Sequence, residues 1–165
     1  MKTASASGDD PLVAEAVKRA KGYVDAGKRR VGVFVNRVRP AQEIAGALRE
    51  RVGDGADIVL LTGRMRPFER DRLVDDWKPY LRATRPDDPS LPIVLVSTPC
   101  LEVGADFSFG ALVTECASLD ALRQRFGRLA RMGVEEPAPA TIIVRESEVD
   151  AEQPDPIYGE AISKT

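Results

Sequence analysis

The segment from Ser118 to Arg131 reads SLDALRQRFGRLAR and holds the densest set of side chains able to do chemistry. At about 100° per residue, Leu119, Leu122, Phe126 and Leu129 share one helical face. Gln124, Arg128 and Arg131 share a narrow arc nearly opposite, and Arg125 lies at the edge between them. No Asp or Glu occurs from Ala121 to Val134, so these guanidiniums lack the neighbours one turn away that a solvated helix face normally supplies. A planar guanidinium donates in a fork that matches phosphate oxygens, so the pattern points to phosphate binding and charge stabilisation. The same pattern also suits a solvated face, because the chain uses 18 Arg against 6 Lys throughout.

Two further segments carry polar groups in suggestive order. Leu60 to Arg72, LLTGRMRPFERDR, places Arg64 and Arg66 after an apolar run and just before a helix-starting Pro67. Glu69 and Asp71 can neutralise neighbours there, so a solvated face and a functional one fit the segment equally. Thr98 to Phe109, TPCLEVGADFSF, sets Gly104 between apolar residues, a mark of a turn with close backbone approach, followed by Asp106 as a hydrogen-bond acceptor. Alone, that spacing also fits an ordinary structural loop.

Composition narrows the options. The 165 residues amount to one domain. Hydrophobic residues at 43% and charged residues at 30% suffice for a proper core. With 24 basic and 26 acidic side chains the net charge is -2, so attraction to nucleic acid or anionic lipid must be local. Histidine is absent, which removes His-based triads, imidazole bases and imidazole metal sites, and no metal site is expected in this chain. Cys100 and Cys116 form no CxxC pair and read as buried thiols of a cytosolic protein. No apolar run approaches the ~20 residues of a membrane span, and no signal peptide is recognisable, so a soluble, cytoplasmic protein is expected.

The elements that must position these groups follow from periodicity. Residues 1–9 are small and polar and are expected to be disordered. Asp10 as cap and Pro11 as first helical residue open an amphipathic helix that runs to Gly27. Five apolar runs follow, Val31–Asn36, Ile58–Gly63, Ile93–Thr98, Ala111–Cys116 and Thr141–Arg145. Helical periodicity separates them at Ala41–Arg51, Pro67–Tyr80 and Leu119–Arg131. This alternation predicts a three-layer α/β domain over residues 10–150, its mostly parallel central sheet flanked by helices. Residues 151–165, where Asp155 and Pro156 start another helix, are expected to open a following segment.

In such sheets ligands lie beyond the carboxyl ends of the strands, here Asn36-Arg37, Thr62-Gly63-Arg64, Thr98 and Thr114-Glu115. Neither GxGxxG nor GxxxxGK[ST] occurs, and no acidic pair ends a strand to hold magnesium. Alone, the chain is not expected to hydrolyse a nucleotide.

In this order and spacing, the three polar segments resemble the second RecA-like lobe of superfamily 2 helicases. Gln124 to Arg131 is similar to the QRxGRxxR motif, and Leu101 to Asp106 to the EVGxD motif before it. The wording of all three resembles in particular the helicase-nuclease of type I CRISPR systems, over roughly Val31 to Arg145. The resemblance implies an ATP-dependent DNA helicase of antiviral defence, with ATP and its magnesium bound mainly by a first RecA-like lobe. It implies that Arg128 and Arg131 act on the γ-phosphate across the interlobe cleft, with Gln124 and Arg125 contacting that phosphate or the first lobe. Gly104 and Asp106 would lie by the nucleotide, Asp106 accepting from the ribose. Asn36, Arg37, Gly63, Arg64 and Thr98 would line the track of single-stranded DNA. The implied partners are the DNA, the first lobe and the CRISPR effector complex, and no membrane.

The sequence departs from the family pattern in three places. Arg37 stands where Thr is usual, Pro99 where Gln is common, and Ala130 where Asn is frequent. Pro99 has no N–H to offer a phosphate. A rival reading remains open, in which a non-enzymatic α/β module docks a partner protein through the Arg-rich helix face.

Overall fold

The structure, a computed structural model, describes residues 10–84, 87–99, 106–131 and 138–145. Five strands, β1 (Arg30–Phe34), β2 (Asp57–Leu61), β3 (Ile93–Ser97), β4 (Ala111–Glu115) and β5 (Ala140–Ile143), form one sheet in the order β2-β3-β1-β4-β5. Every neighbouring pair is parallel. The α/β fold expected from the alternating pattern is the fold observed.

Side chains alternate across the strands and fill two cores. Val31, Val33 and Val35, with Val94, Val96 and Val113, meet helices α1 (Pro11–Asp25) and α2 (Val38–Val52) through Ala16, Val17, Ala20, Ile44 and Leu48. On the opposite face Phe34, Leu61, Ile93, Leu95 and Leu112 pack with Phe107, Phe109 and helix α3 (Pro67–Leu81). Helix α4 (Leu119–Phe126) closes the same face with Phe126, helped by Leu129 beyond its end. Gly32 is required there: a Cβ would stand 2.9 Å from the Phe34 ring and 3.0 Å from the Phe109 ring. Those rings meet edge to face with centroids 5.8 Å apart.

Most element boundaries fall within one or two residues of expectation, and two helix ends depart further. α2 starts at Val38, ahead of Ala41, and carries Pro40 in its first turn, where a missing N–H is harmless. α4 ends at Phe126, well short of Arg131. Gly127 caps it, its N–H donating to the carbonyls of Arg123 and Arg125. The chain then turns so that Leu129 bridges Phe109. Ala130 adopts φ +43, a left-handed conformation that Asn tolerates better than Ala.

Among the described residues no helix is long and apolar enough to cross a membrane. The expected disordered segment 1–9 and the following segment 151–165 lie outside the described residues.

Candidate functional site

The strand order sets the carboxyl ends of β2, β3, β1 and β4 side by side. It thereby brings Gly63 and Arg64, then Thr98, then Asn36 and Arg37 along one edge. The Thr98 N–H donates to the Leu61 carbonyl at 3.2 Å, and the Thr98 hydroxyl accepts from the Gly63 N–H at 3.2 Å. These bonds hold Gly63 and Arg64 out at the rim, where both are exposed. Asn36 sits deeper, 5% exposed. Its amide nitrogen donates to the Cys116 carbonyl at 2.8 Å, its backbone N–H to Glu115 Oε2 at 2.6 Å, and its side-chain oxygen accepts from Arg125 Nη2 at 2.9 Å.

Arg125 does not lie at the edge of α4 as the helical wheel predicts. It is 1% exposed. Its Nη1 donates to the Thr114 hydroxyl at 2.9 Å and to the Glu115 carbonyl at 3.0 Å. The side chain turns inward toward the ends of β1 and β4, where neutral acceptors take its Nη1 and Nη2 donors. Glu115 is fully covered, and its Oε1 accepts from Arg145 Nε at 3.4 Å. Arg145 in turn grips Asp10 with two hydrogen bonds of 2.9 and 2.8 Å. Burial works against the Asp10 charge, but the Arg145 hydrogen bonds, the Leu12 N–H and the nearby guanidinium charges outweigh it and hold the carboxyl below the usual carboxylate range. Sequence reasoning missed this chain of contacts from Asp10 to Asn36. Its one signal was Glu115, a carboxylate ending an otherwise apolar strand.

The early end of α4 dissolves the predicted arc of Gln124, Arg128 and Arg131. Gln124 stays exposed on the helix. Arg128 lies in the following turn, 8% exposed, its carbonyl accepting from the Phe109 N–H. Arg131 donates to Asp106 Oδ1 at 2.5 Å, and both side chains remain about half exposed, at 48% and 57%. The expectation of a guanidinium row without counter-ions therefore fails at Arg131, because its partner comes from 25 positions away in sequence and no local spacing reveals it. The same contact brings together the segments that carry QRFGRLAR and the aspartate of LEVGAD. Gly104 lies outside the described residues.

Around Arg64 the outcome is the reverse. Asp71 pairs with its neighbour Arg70 at 3.2 Å, whereas Arg64 and Arg66 are exposed and make no ion pair among the described residues. Glu69 does not neutralise them. Two clusters result: exposed cations at the carboxyl edge, and Arg128, Arg131 and Asp106 where the turn after α4 meets residues 106–109, ahead of β4. Guanidinium forks suit phosphates, and a half-exposed carboxylate suits a sugar hydroxyl, so the second cluster fits the chemistry of a nucleoside triphosphate.

Comparison with known proteins supplies the family. Residues 27–133 match the model of the C-terminal domain of the CRISPR-associated nuclease/helicase Cas3. The CRISPR-associated nuclease/helicase Cas3 of Streptococcus thermophilus is 34% identical over 112 residues, 65% of this chain and 11% of that protein. The crystal structure of T. fusca Cas3-ATP superposes with TM-score 0.72 at 18% identity, over 99% of this chain and 19% of that one. A CRISPR RNA-guided surveillance complex in its pre-nicking state contains a chain that matches with TM-score 0.66 at 16% identity, over 100% of this chain and 20% of that one. The chain thus spans about a tenth of the length of the curated relative. The family model covers most of the residues between β1 and the turn after α4, and on that match the protein belongs to the Cas3 C-terminal family and carries the RecA-like C-terminal lobe of a CRISPR-associated helicase.

Proposed function

We propose that this lobe completes an ATP-dependent helicase that moves along single-stranded DNA, by supplying arginine donors to ATP held on a first RecA-like lobe. One observation carries the reading: the Arg131–Asp106 ion pair, which joins the two motif segments at the surface. An ion pair this exposed is worth only about 0–1 kcal/mol, so Arg131 exchanges Asp106 for a phosphate at little cost. Asp106 is then released to accept from the ribose hydroxyls, and Gly104 is assigned to the same nucleotide site by its motif. Bound ATP, with magnesium held mainly by the first lobe, supplies the transferable phosphoryl. Arg128 and Arg131 neutralise charge that develops on it, and Gln124 contacts the first lobe.

Arg125 acts in this scheme as a positioning residue, because its donors fix Asn36 and the end of β4. Arg37, Gly63, Arg64 and Thr98, with Asn36 behind them, form this lobe's part of the single-strand track. The isolated lobe is inactive, since the phosphate-loop lysine and acidic box belong to the first lobe. In this reading a CRISPR effector complex recruits the protein, as the fold likeness to a chain of such a surveillance complex suits, and the site of action is the cytoplasm, away from membranes.

The test is DNA-stimulated ATPase of the full-length protein carrying Arg128→Ala or Arg131→Ala. Arginine fingers contribute about 10³ to 10⁵ in rate where they have been isolated, so turnover falls by about a thousandfold. Turnover within about twofold of wild type refutes the assignment. Loss of partner binding with intact ATPase supports instead a docking role for the Arg-rich segment.

A further inference from the structure

Phe68 is the most exposed large apolar side chain among the described residues, at 77%. It contributes nothing to the fold's interior. α3 turns Leu73, Val74, Trp77 and Tyr80 toward the sheet. Phe68 precedes Trp77 by nine positions, about 900° of helical rotation, and therefore points the opposite way. Pro67 at the first helical position makes its base rigid. A lone exposed apolar residue is ordinary on a protein surface, so what Phe68 could serve depends on the groups beside it in the chain.

Its surroundings identify the partner's chemistry. Arg64 and Arg66 lie just before it, exposed and without an ion pair among the described residues. Gly63, at the start of the same loop, is fixed by Thr98 at the rim of the strand ends. From Thr62 to Arg72 the chain reads TGRMRPFERDR, in which Arg64 and Arg66 precede the ring without a carboxylate between them, and Glu69 and Asp71 alternate with Arg70 and Arg72 after it. The net charge of the whole chain is -2, so this is a local cationic patch rather than a general basic surface. Unpaired guanidiniums beside an exposed ring match single-stranded nucleic acid, whose phosphates meet the cations while an unstacked base meets the ring.

We propose that Phe68 is a base-stacking platform, over which the single strand passes while Arg64 and Arg66 hold the flanking phosphates. The assignment rests on the reading of the lobe as part of a single-strand track and adds to it a contact to the bases. Every base has a flat face, so a stacking contact grips any sequence, as movement along DNA requires.

The test uses the full-length protein and two oligonucleotides about 20 nucleotides long, one an oligothymidylate and the other the same backbone with abasic sites. Affinities are compared at fixed salt. Phe68→Ala weakens binding to the oligothymidylate by about fivefold or more and binds the abasic strand as wild type does. Phe68→Trp restores the preference for bases, and Phe68→Leu does not. The proposal is overturned if Phe68→Ala binds both strands as wild type does, if it weakens both equally, or if Phe68→Leu keeps the full preference. That last result marks an apolar docking point for protein. If Arg64→Ala weakens binding while Phe68→Ala does not, the track stands and the platform falls. If the wild-type protein binds neither strand and DNA leaves its ATPase unchanged, the helicase reading falls with it.

Discussion

Arg125 and Arg131 belong to one short arginine-rich segment, yet the fold uses them in opposite ways. Arg125 is sealed from water and spends its donors on Asn36, Thr114 and the Glu115 carbonyl. Removing it leaves the Asn36 oxygen without its donor and opens a cavity beneath α4. Arg125→Ala is therefore expected to destabilise the protein by about 3 kcal/mol, read as a lower denaturant midpoint at unchanged slope. A loss below about 1 kcal/mol contradicts a structural role for this guanidinium. Arg131 stays at the surface with a partner it can give up. Local spacing cannot separate the two cases, because both depend on residues brought close only by the folded chain.

At the scale of elements, periodicity served well where one pattern filled a whole element. β1, β3 and β4 were legible as apolar runs because a parallel strand covered on both faces has no polar side, whereas β5, whose run read the same way, lies at the sheet edge with Ile142 exposed; α1 was legible from Asp10 and Pro11. α4 was overextended because Leu129 continues the apolar period past Gly127, although it reaches the core from a turn. The cations of α3's leading loop were underrated, because Glu69 and Asp71 are near Arg64 and Arg66 in sequence but make no pair with them. The clasp of Arg145 on Asp10 ties the segment after β5 to the first turn of α1, across 135 positions. Because folding lowers the Asp10 pKa, the clasp stabilises the protein above the unfolded value of about 4 and is lost as pH falls through the lower folded value. Asp10→Asn is expected to cost about 1 kcal/mol at neutral pH, a cost that shrinks as pH falls below the unfolded value of about 4 and the Asp10 carboxyl takes up its proton. Denaturant titrations of both proteins across that range check this; a difference independent of pH excludes the ion pair as its source.

As a whole molecule, the lobe is a parallel sheet with two groups of cations, one at the strand ends and one in the turn after α4. In the proposed reading Arg37 and Arg64, with Gly63 and Thr98, meet a strand of nucleic acid, and Arg131, with the more deeply set Arg128, meets a nucleotide. On the proposed function, closure of a first lobe on this one assembles the nucleotide site, and the contribution of the chain is then electrostatic and depends on conformation. The family membership was legible because the motif wording is continuous in sequence; the Arg131–Asp106 contact was not, because only the fold makes it. The most direct test measures, in the full-length protein, affinity for ADP and for ADP with aluminium fluoride, which mimics the phosphoryl in transfer. Arg131→Ala should lose about tenfold or more in affinity for the mimic while binding ADP within about twofold of wild type. Equal loss for both ligands, or loss for neither, would contradict the claim that this arginine acts on the transferred phosphoryl.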